Sequence, residues 1–389
     1  MKNKNWMLLI RVFLLVGGLF AFPALTFGAD AAPPPPPKWY DTISMNGFVD
    51  GYYSYNSNTS GASSVNGNSN IYHNFDMSAN DLQVSLVELN IVKPVDDKNK
   101  AGFYLGFMFG EAADVIACGG TLTCTPMTES ATKNIRQAYA SILLTPSLQL
   151  DFGKYVTQMG AEVIESKDNW NYTRSLLYTL AIPYLHTGAR LTYTFNDKVY
   201  LQGQFNNGWN NGVENNNGKY YGVQLGVTPV KSLPIVLNYA TSSELSTASG
   251  ITDDLSLLDV IVTYNATNSL SFMANYDNAT QKQGLATGDA KWDGLAIYAK
   301  YAFTNPYAVV ARYELFNDAD GLRTGYKIGA GGQKLSEGTI TLEYSGFGPG
   351  SLFRLDLRQD MSDGTPFTKE DGSKTDSQLT ATIGVVQTF

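Results

Sequence analysis

Histidine and cysteine are nearly missing from this chain, which has two of each among 389 residues. His73 and His186 stand far apart in sequence. No Ser–His–Asp spacing and no clustered metal ligands can be read, which disfavours a hydrolase. A C-x-x-C-H haem attachment motif is absent too. No enzyme activity, metal, cofactor or nucleic-acid partner is therefore expected. Charge is scarce, at 16% Asp, Glu, Lys and Arg, against about 25% in ordinary soluble domains. Beyond the N-terminus no apolar run approaches eighteen residues, so no other helix is expected to span a membrane. Yet 43% of the residues are hydrophobic, with 24 Tyr, 19 Phe and 37 Gly. Aromatic residues suit strands, and Gly suits tight turns.

The first segment stands apart. Lys2, Lys4 and Arg11 accompany the apolar run VFLLVGGLFAF, and small residues follow. This layout predicts a secretory signal peptide over 1–28, with cleavage after Gly28 or as late as Ala31. Its removal takes the formal charge from −8 to −11. The five consecutive prolines after it enforce an extended polyproline II segment that cannot join a sheet. Residues 29–41 therefore read as a periplasmic spacer, and 42–389 as one domain. Export to an oxidising compartment makes a disulfide between Cys118 and Cys124 the expected pairing, a local staple in DVIACGGTLTCTPM.

Two-residue periodicity then recurs down the chain in about sixteen segments of about ten residues, the length a tilted strand needs to cross a bilayer. In SLFRLDLRQD, Phe353, Leu355 and Leu357 oppose Arg354, Asp356, Arg358 and Asp360. In YAVVARYELF, Tyr307, Val309, Ala311, Tyr313 and Leu315 oppose Arg312 and Glu314. The last strand sets Leu379, Ala381, Ile383, Val385 and Phe389 against Thr380, Thr382, Val386 and Thr388. Connections alternate between short turns such as NDK and TNP and long polar loops. Soluble sandwiches have no reason to sort loop length by parity, whereas an outer-membrane barrel does. The predicted fold is all-β: a transmembrane antiparallel up-and-down barrel of about 16 strands, with short periplasmic turns and long extracellular loops. Hydrocarbon tolerates strands only in a closed sheet, and Arg or Lys on the lipid face costs about 2–4 kcal/mol at midplane. The charged rows must face a wet interior. Channel-lining candidates are Arg136, Arg190, Arg312, Arg354 and Arg358, with Glu88, Asp151, Asp259, Glu314, Glu343, Asp356 and Asp360. Tyr193, Phe195, Tyr264, Tyr276, Tyr301 and Phe303 are expected in interfacial girdles.

The segments GFVDGYYSYN, NDLQVSLVELNIVKP, IRQAYAS and LDFGKYVTQMGAEVIES, together with the terminal Phe, resemble the outer-membrane β-barrel porins described as OmpL-like. The resemblance implies a bacterial outer-membrane location and a water-filled pore for small hydrophilic solutes, with no catalytic set. Phe389 resembles the terminal signal that such barrels present to the barrel assembly machinery, although Gln387 departs from the apolar residue usual there. The connection 157–186 is apolar enough to pack, which predicts an inward fold that narrows the pore and presents Glu162, Glu165, Asp168 and Arg174 to it. Outer-membrane lipid, the assembly machinery, small hydrophilic solutes and further copies in a homo-trimer are the expected partners. The other reading of the barrel is a structural sheath for a partner such as an electron-conduit cytochrome.

Overall fold

The computed structural model describes residues 38, 40–59, 69–117, 132–214, 216–245, 252–285, 288–329 and 331–389. Cys118 and Cys124 lie outside them, as does the N-terminal segment up to residue 37. The alternation seen in the sequence resolves into sixteen barrel strands. They are β1 (Ser44–Asn56), β2 (Leu82–Lys93), β3 (Ala101–Phe109), β4 (Ile135–Thr145), β5 (Leu148–Val156), β6 (Leu185–Asn196), β7 (Val199–Asn206) and β8 (Tyr220–Val227). The second half comprises β9 (Ile235–Leu245), β10 (Thr252–Asn265), β11 (Leu270–Leu285), β12 (Gly288–Ala302), β13 (Tyr307–Asp318), β14 (Gln333–Tyr344), β15 (Ser351–Ser362) and β16 (Ser377–Thr388). Each strand pairs with its chain neighbours, and β16 closes on β1 in register from Phe48↔Thr388 to Asn56↔Thr380. Closure leaves no open edge, the condition for placing strands in hydrocarbon.

The pleat sorts the side chains. On β13, Val310, Arg312, Glu314 and Phe316 are buried while Tyr307, Tyr313 and Leu315 are exposed. On β16, Thr380 and Thr382 are fully buried while Leu379, Ile383 and Val385 are exposed. Polar side chains inside and apolar ones outside are the reverse of a soluble barrel. The last residue is tied down: Phe389 exchanges backbone hydrogen bonds with Gly47 (2.9 and 3.0 Å), and its side chain is exposed.

Tyr193, Phe195, Tyr264, Tyr301 and Phe303 are exposed beside the short turns, joined there by exposed Tyr307 and Phe347 and half-buried Tyr344. The rings meet in pairs, with Tyr301–Phe303 at 4.9 Å and Tyr307–Tyr344 at 5.0 Å. Tyr276 is exposed as well but sits in mid-strand opposite Val260, so it lies away from this belt.

Two local expectations change. The stretch ATQKQGLATGDAK reads as a long loop, yet β11 and β12 continue through most of it and leave only residues 286–287 between them. A polar hairpin can extend its ladder into water, because backbone pairing needs no apolar face. The connection after β3 opens with a short helix, α1 (Glu111–Ala117), whose Glu111 accepts hydrogen bonds from Tyr52, Ser78 and the Met77 backbone.

Candidate functional site

The barrel interior is dominated by the connection between β5 and β6. Apart from short helical turns at Ser166–Asp168 and Leu177–Ala181, it has no regular structure. Its backbone groups are enclosed, so each needs a partner other than bulk water. The wall provides them. Asp259 accepts the Gly160 N–H at 3.0 Å. Asp356 accepts the N–H groups of Tyr172 and Thr173 at 3.0 and 2.9 Å. Glu314 accepts that of Leu176 at 2.7 Å. The carbonyls are met by guanidinium groups: Arg354 donates to Ser166 and Asn169 (2.5 and 2.6 Å), Arg312 to Thr173 (2.7 Å) and Arg358 to Arg174 (2.6 Å).

The same wall charges also neutralise one another. Arg312 lies between Glu337 and Glu162, the latter at 2.9 Å. Arg354 forks onto Glu343, and Arg358 onto Asp360 at 2.7 and 2.9 Å. Lys300 reaches Glu343 at 3.1 Å. All three arginines are 0–3% exposed. At that depth a complete pair contributes little net stability, but removing one partner strands a buried charge.

Apolar packing holds the other face of the segment. Met159, Ile164, Leu176, Leu177, Tyr178, Ile182 and Tyr184 join Phe75, Met108, Trp292 and Phe316 in one core. Two wall glycines make room. A Cβ on Gly384 would stand 2.1 Å from the Tyr172 ring, and one on Gly294 would stand 2.5 Å from the Leu177 side chain. Tyr172 reaches past Gly384 to donate to Asp50 at 2.8 Å, and Ser166 donates to the same carboxylate at 2.6 Å.

The four loop charges have different surroundings. Glu162 is held by Arg312 and by the Ser175 N–H, at 2.7 Å. Glu165 pairs with Arg136. Arg174 turns back on its own loop, donating to Val163, Tyr172 and Ile164 carbonyls beneath the Phe75 ring. Asp168 is the one left half-exposed, beside Lys167.

A second connection also turns inward. Asn70, His73, Asn74, Phe75, Asp76 and Ser78 are at most 2% exposed. His73 joins Asp76 (2.7 Å) to Asp360 on β15 (3.1 Å). Burial and Arg358 oppose charging of His73, but Asp76 and Asp360 overcome them and raise its pKa above the ordinary imidazole value of 6.5. His186, at the start of β6, is fully enclosed and faces the Gly208 carbonyl at 3.3 Å.

Across the lumen the wall is less covered. Arg190 pairs with Asp151 (2.8 and 3.0 Å), stacks over Tyr139 and Tyr155, and keeps 16% of its side chain exposed. Tyr104 and Tyr139 stack with centroids 5.5 Å apart and remain partly open. Arg136 bonds Tyr104 at 2.7 Å and lies 3.0 Å from Glu88.

Sequence reasoning identified most of these charges but not Asp50, Asp76, Glu111, Lys167, Lys300 or Glu337. Asp50 and Glu337 were findable: GFVDGYYSY sets Asp50 in the row of Phe48 and Tyr52, and Glu337 shares the face of Thr339 and Thr341.

A closed barrel with an oily exterior and a charged interior is the outer-membrane channel class. The family profile described as "Putative beta-barrel porin-2, OmpL-like" matches residues 42–389, and the chain belongs to that family. No curated protein matches it. Among solved structures it is similar to the outer membrane channel DcaP of Acinetobacter baumannii, with 10% identity over 89% of this chain and 97% of that one and a TM-score of 0.59. It is also similar to an anion-selective porin from Comamonas acidovorans (12% identity, 89% and 99% coverage, TM-score 0.57). A third similar structure is the trimer form of OmpT, an outer membrane protein of Vibrio cholerae (14%, 90% and 99%, 0.55). At such identities the likeness speaks to fold alone. Family and fold together place this protein in the bacterial outer membrane as a channel.

Proposed function

We propose that the barrel conducts small hydrophilic solutes or ions by passive diffusion, through a lumen narrowed by the connection 157–186. The carrying observation is the asymmetry of the interior. One wall is covered by a segment whose backbone it binds, while the wall of β3–β7 keeps Tyr104, Tyr139 and Arg190 partly open. Diffusive flux depends on width and lining charge at the narrowest point. On this reading Arg190 and its partner Asp151 line the path, with Asp168 near it, while Arg136 and Glu88 are enclosed and hold Glu165 of the inward segment. Arg312, Arg354, Arg358, Asp259, Glu314, Glu343, Asp356 and Asp360 act at one remove, by fixing the segment that sets the width.

A homo-trimer fits this reading, as in the OmpT trimer form. Residues 1–28 act as the export signal and 29–41 as a spacer, with a Cys118–Cys124 staple, and Phe389 serves recognition by the assembly machinery. A sheath around a partner protein is less well supported, because the chain's own loop occupies the space such a partner needs. The reading assigns the chain no catalytic role. Planar-bilayer recording of the purified protein tests the proposal. Steady ohmic conductance is expected; folded protein that carries no current contradicts it.

A further inference from the structure

The wall built by β7 and β8 differs in chemistry from the rest of the lumen. Neither strand contains a charged residue. The inward row of β7 is Tyr200, Gln202, Gln204 and Asn206, and Gln224 and Gly226 face it from β8. The amides are tied in one direction. Asn206 donates to Gln204 at 3.0 Å, Gln204 to Gln202 at 2.8 Å, and Gln202 to the Thr192 hydroxyl at 3.0 Å. An amide carries two N–H groups and two lone pairs on its oxygen. The ladder uses one of each on Gln202 and leaves one donor and one acceptor. Gln202 and Gln224 are each 9% exposed, so they offer the lumen an edge and not a face.

Tyr200 supplies the face. It stands opposite Gly226 in the strand register, and a Cβ on Gly226 would come 1.9 Å from its ring. The ring therefore lies over the glycine, in the place of the missing side chain. Its hydroxyl donates to Gln224 at 2.9 Å, which fixes its orientation. The half-buried ring turns its other side to the lumen. Tyr104 carries Arg136, and Tyr139 and Tyr155 carry Arg190. Among the described residues no cation or second ring packs on Tyr200. On β6, Thr194 stands opposite it, exposed, with Thr192 opposite Gln202.

An aromatic face ringed by amides and hydroxyls, without charge, suits one class of solute. A sugar ring has C–H groups across its face and hydroxyls round its rim, each hydroxyl both donor and acceptor. An ion finds no counter-charge on these two strands. A few placed polar groups beside an apolar surface are what orient a small ligand. We propose that Tyr200, Gln202, Thr192 and Thr194 form a weak subsite for neutral sugars at the short-turn end of the lumen. The sugar face stacks on Tyr200, and its hydroxyls meet the amide edge and the threonines. The proposal names the solute class and so rests on the diffusion reading above.

The test is saturation-transfer NMR of maltose with the full-length protein, in a detergent without a sugar headgroup, for wild type and Tyr200→Leu. Single-channel recording in maltose accompanies it. Wild type is expected to saturate the maltose C–H protons. The variant should bind about two- to tenfold more weakly, the scale of one lost aromatic contact. Maltose should also interrupt the wild-type current briefly, with shorter interruptions in the variant. Thr194→Val, with a loss in the same direction, is the second variant if Tyr200→Leu does not fold. Three results overturn the subsite: no saturation by wild type, equal saturation by wild type and the variants, or displacement of maltose by an equal concentration of charged glucuronate. Ohmic current without maltose contact sinks the subsite and spares the diffusion reading. Maltose contact without current does the reverse.

Discussion

The two halves of the barrel wall carry similar residues and use them differently. On β13 and β15, Arg312, Arg354 and Arg358 are almost wholly enclosed and bind the backbone of another segment. On β6, Arg190 has a carboxylate partner too, but its face stacks on tyrosines and part of it stays wet. The difference lies in what sits opposite. Where an irregular segment fills the lumen, its enclosed carbonyls and N–H groups are shut off from bulk water and take wall charges as partners. Where the lumen stays open, the same residue types remain available to shape the field along a diffusion path. An inward charge in a barrel is thus a lining residue or a structural anchor according to its neighbour, and residue type alone does not decide which.

Breaking the anchored side should have the largest effect. Arg312→Met leaves Glu162 without its cation, Glu337 with only Arg358 at 3.8 Å, and the Thr173 carbonyl without its donor. A stability loss of about 3–5 kcal/mol is expected, measured by urea unfolding in detergent, together with noisier and larger single-channel currents. Gly384→Leu acts on the same contact sterically. The new side chain displaces Tyr172 from Asp50, with an expected cost of about 1–3 kcal/mol for overpacking, read from the thermal midpoint. Gly384→Ala, whose Cβ alone would stand 2.1 Å from the Tyr172 ring, should show much of the same loss.

On the open side the signature inverts. Arg190→Ala should cost less stability than Arg312→Met, because Asp151 keeps Ser141 and Gln149 as donors at 2.7 and 2.8 Å when its cation is gone. It frees Asp151, so the reversal potential in a salt gradient should move toward cation preference. A variant that destabilises strongly without altering selectivity would make Arg190 an anchor after all. The smallest effect concerns pH. The folded-state pKa of His73 is raised, so its contribution is fully present below the ordinary value of 6.5 and is lost as pH climbs through the raised one. Wild type should lose a little stability over that climb, and His73→Gln should show a flatter profile.

Much of the fold was legible because bilayer physics constrains it so tightly. Strand parity on Phe353–Asp360 and Tyr307–Leu315 fixed which way Arg312, Arg354 and Arg358 point. The apolar content of 157–186 announced a segment that would pack. What could not be read was the reciprocity: that Asp356 and Glu314 would cap backbone N–H groups more than a hundred positions away depends on three-dimensional proximity, which local pattern does not encode. The inward turn of residues 69–79 was hidden for another reason. Its Asn, Ser and Asp content looks like a solvated loop, yet those groups are satisfied by Tyr52, Glu111 and Asp360 inside the barrel. The β11–β12 hairpin was misread as a loop because its extension is polar on both faces.

The central claim is that the segment after β5 is held inside the lumen and sets its width. Single-channel conductance of wild type against a variant with residues 160–180 replaced by a short Gly-Ser link tests this most directly. The account predicts a severalfold larger ohmic conductance in the shortened protein, with weaker ion selectivity. Unchanged conductance from a folded, membrane-inserted variant would contradict it.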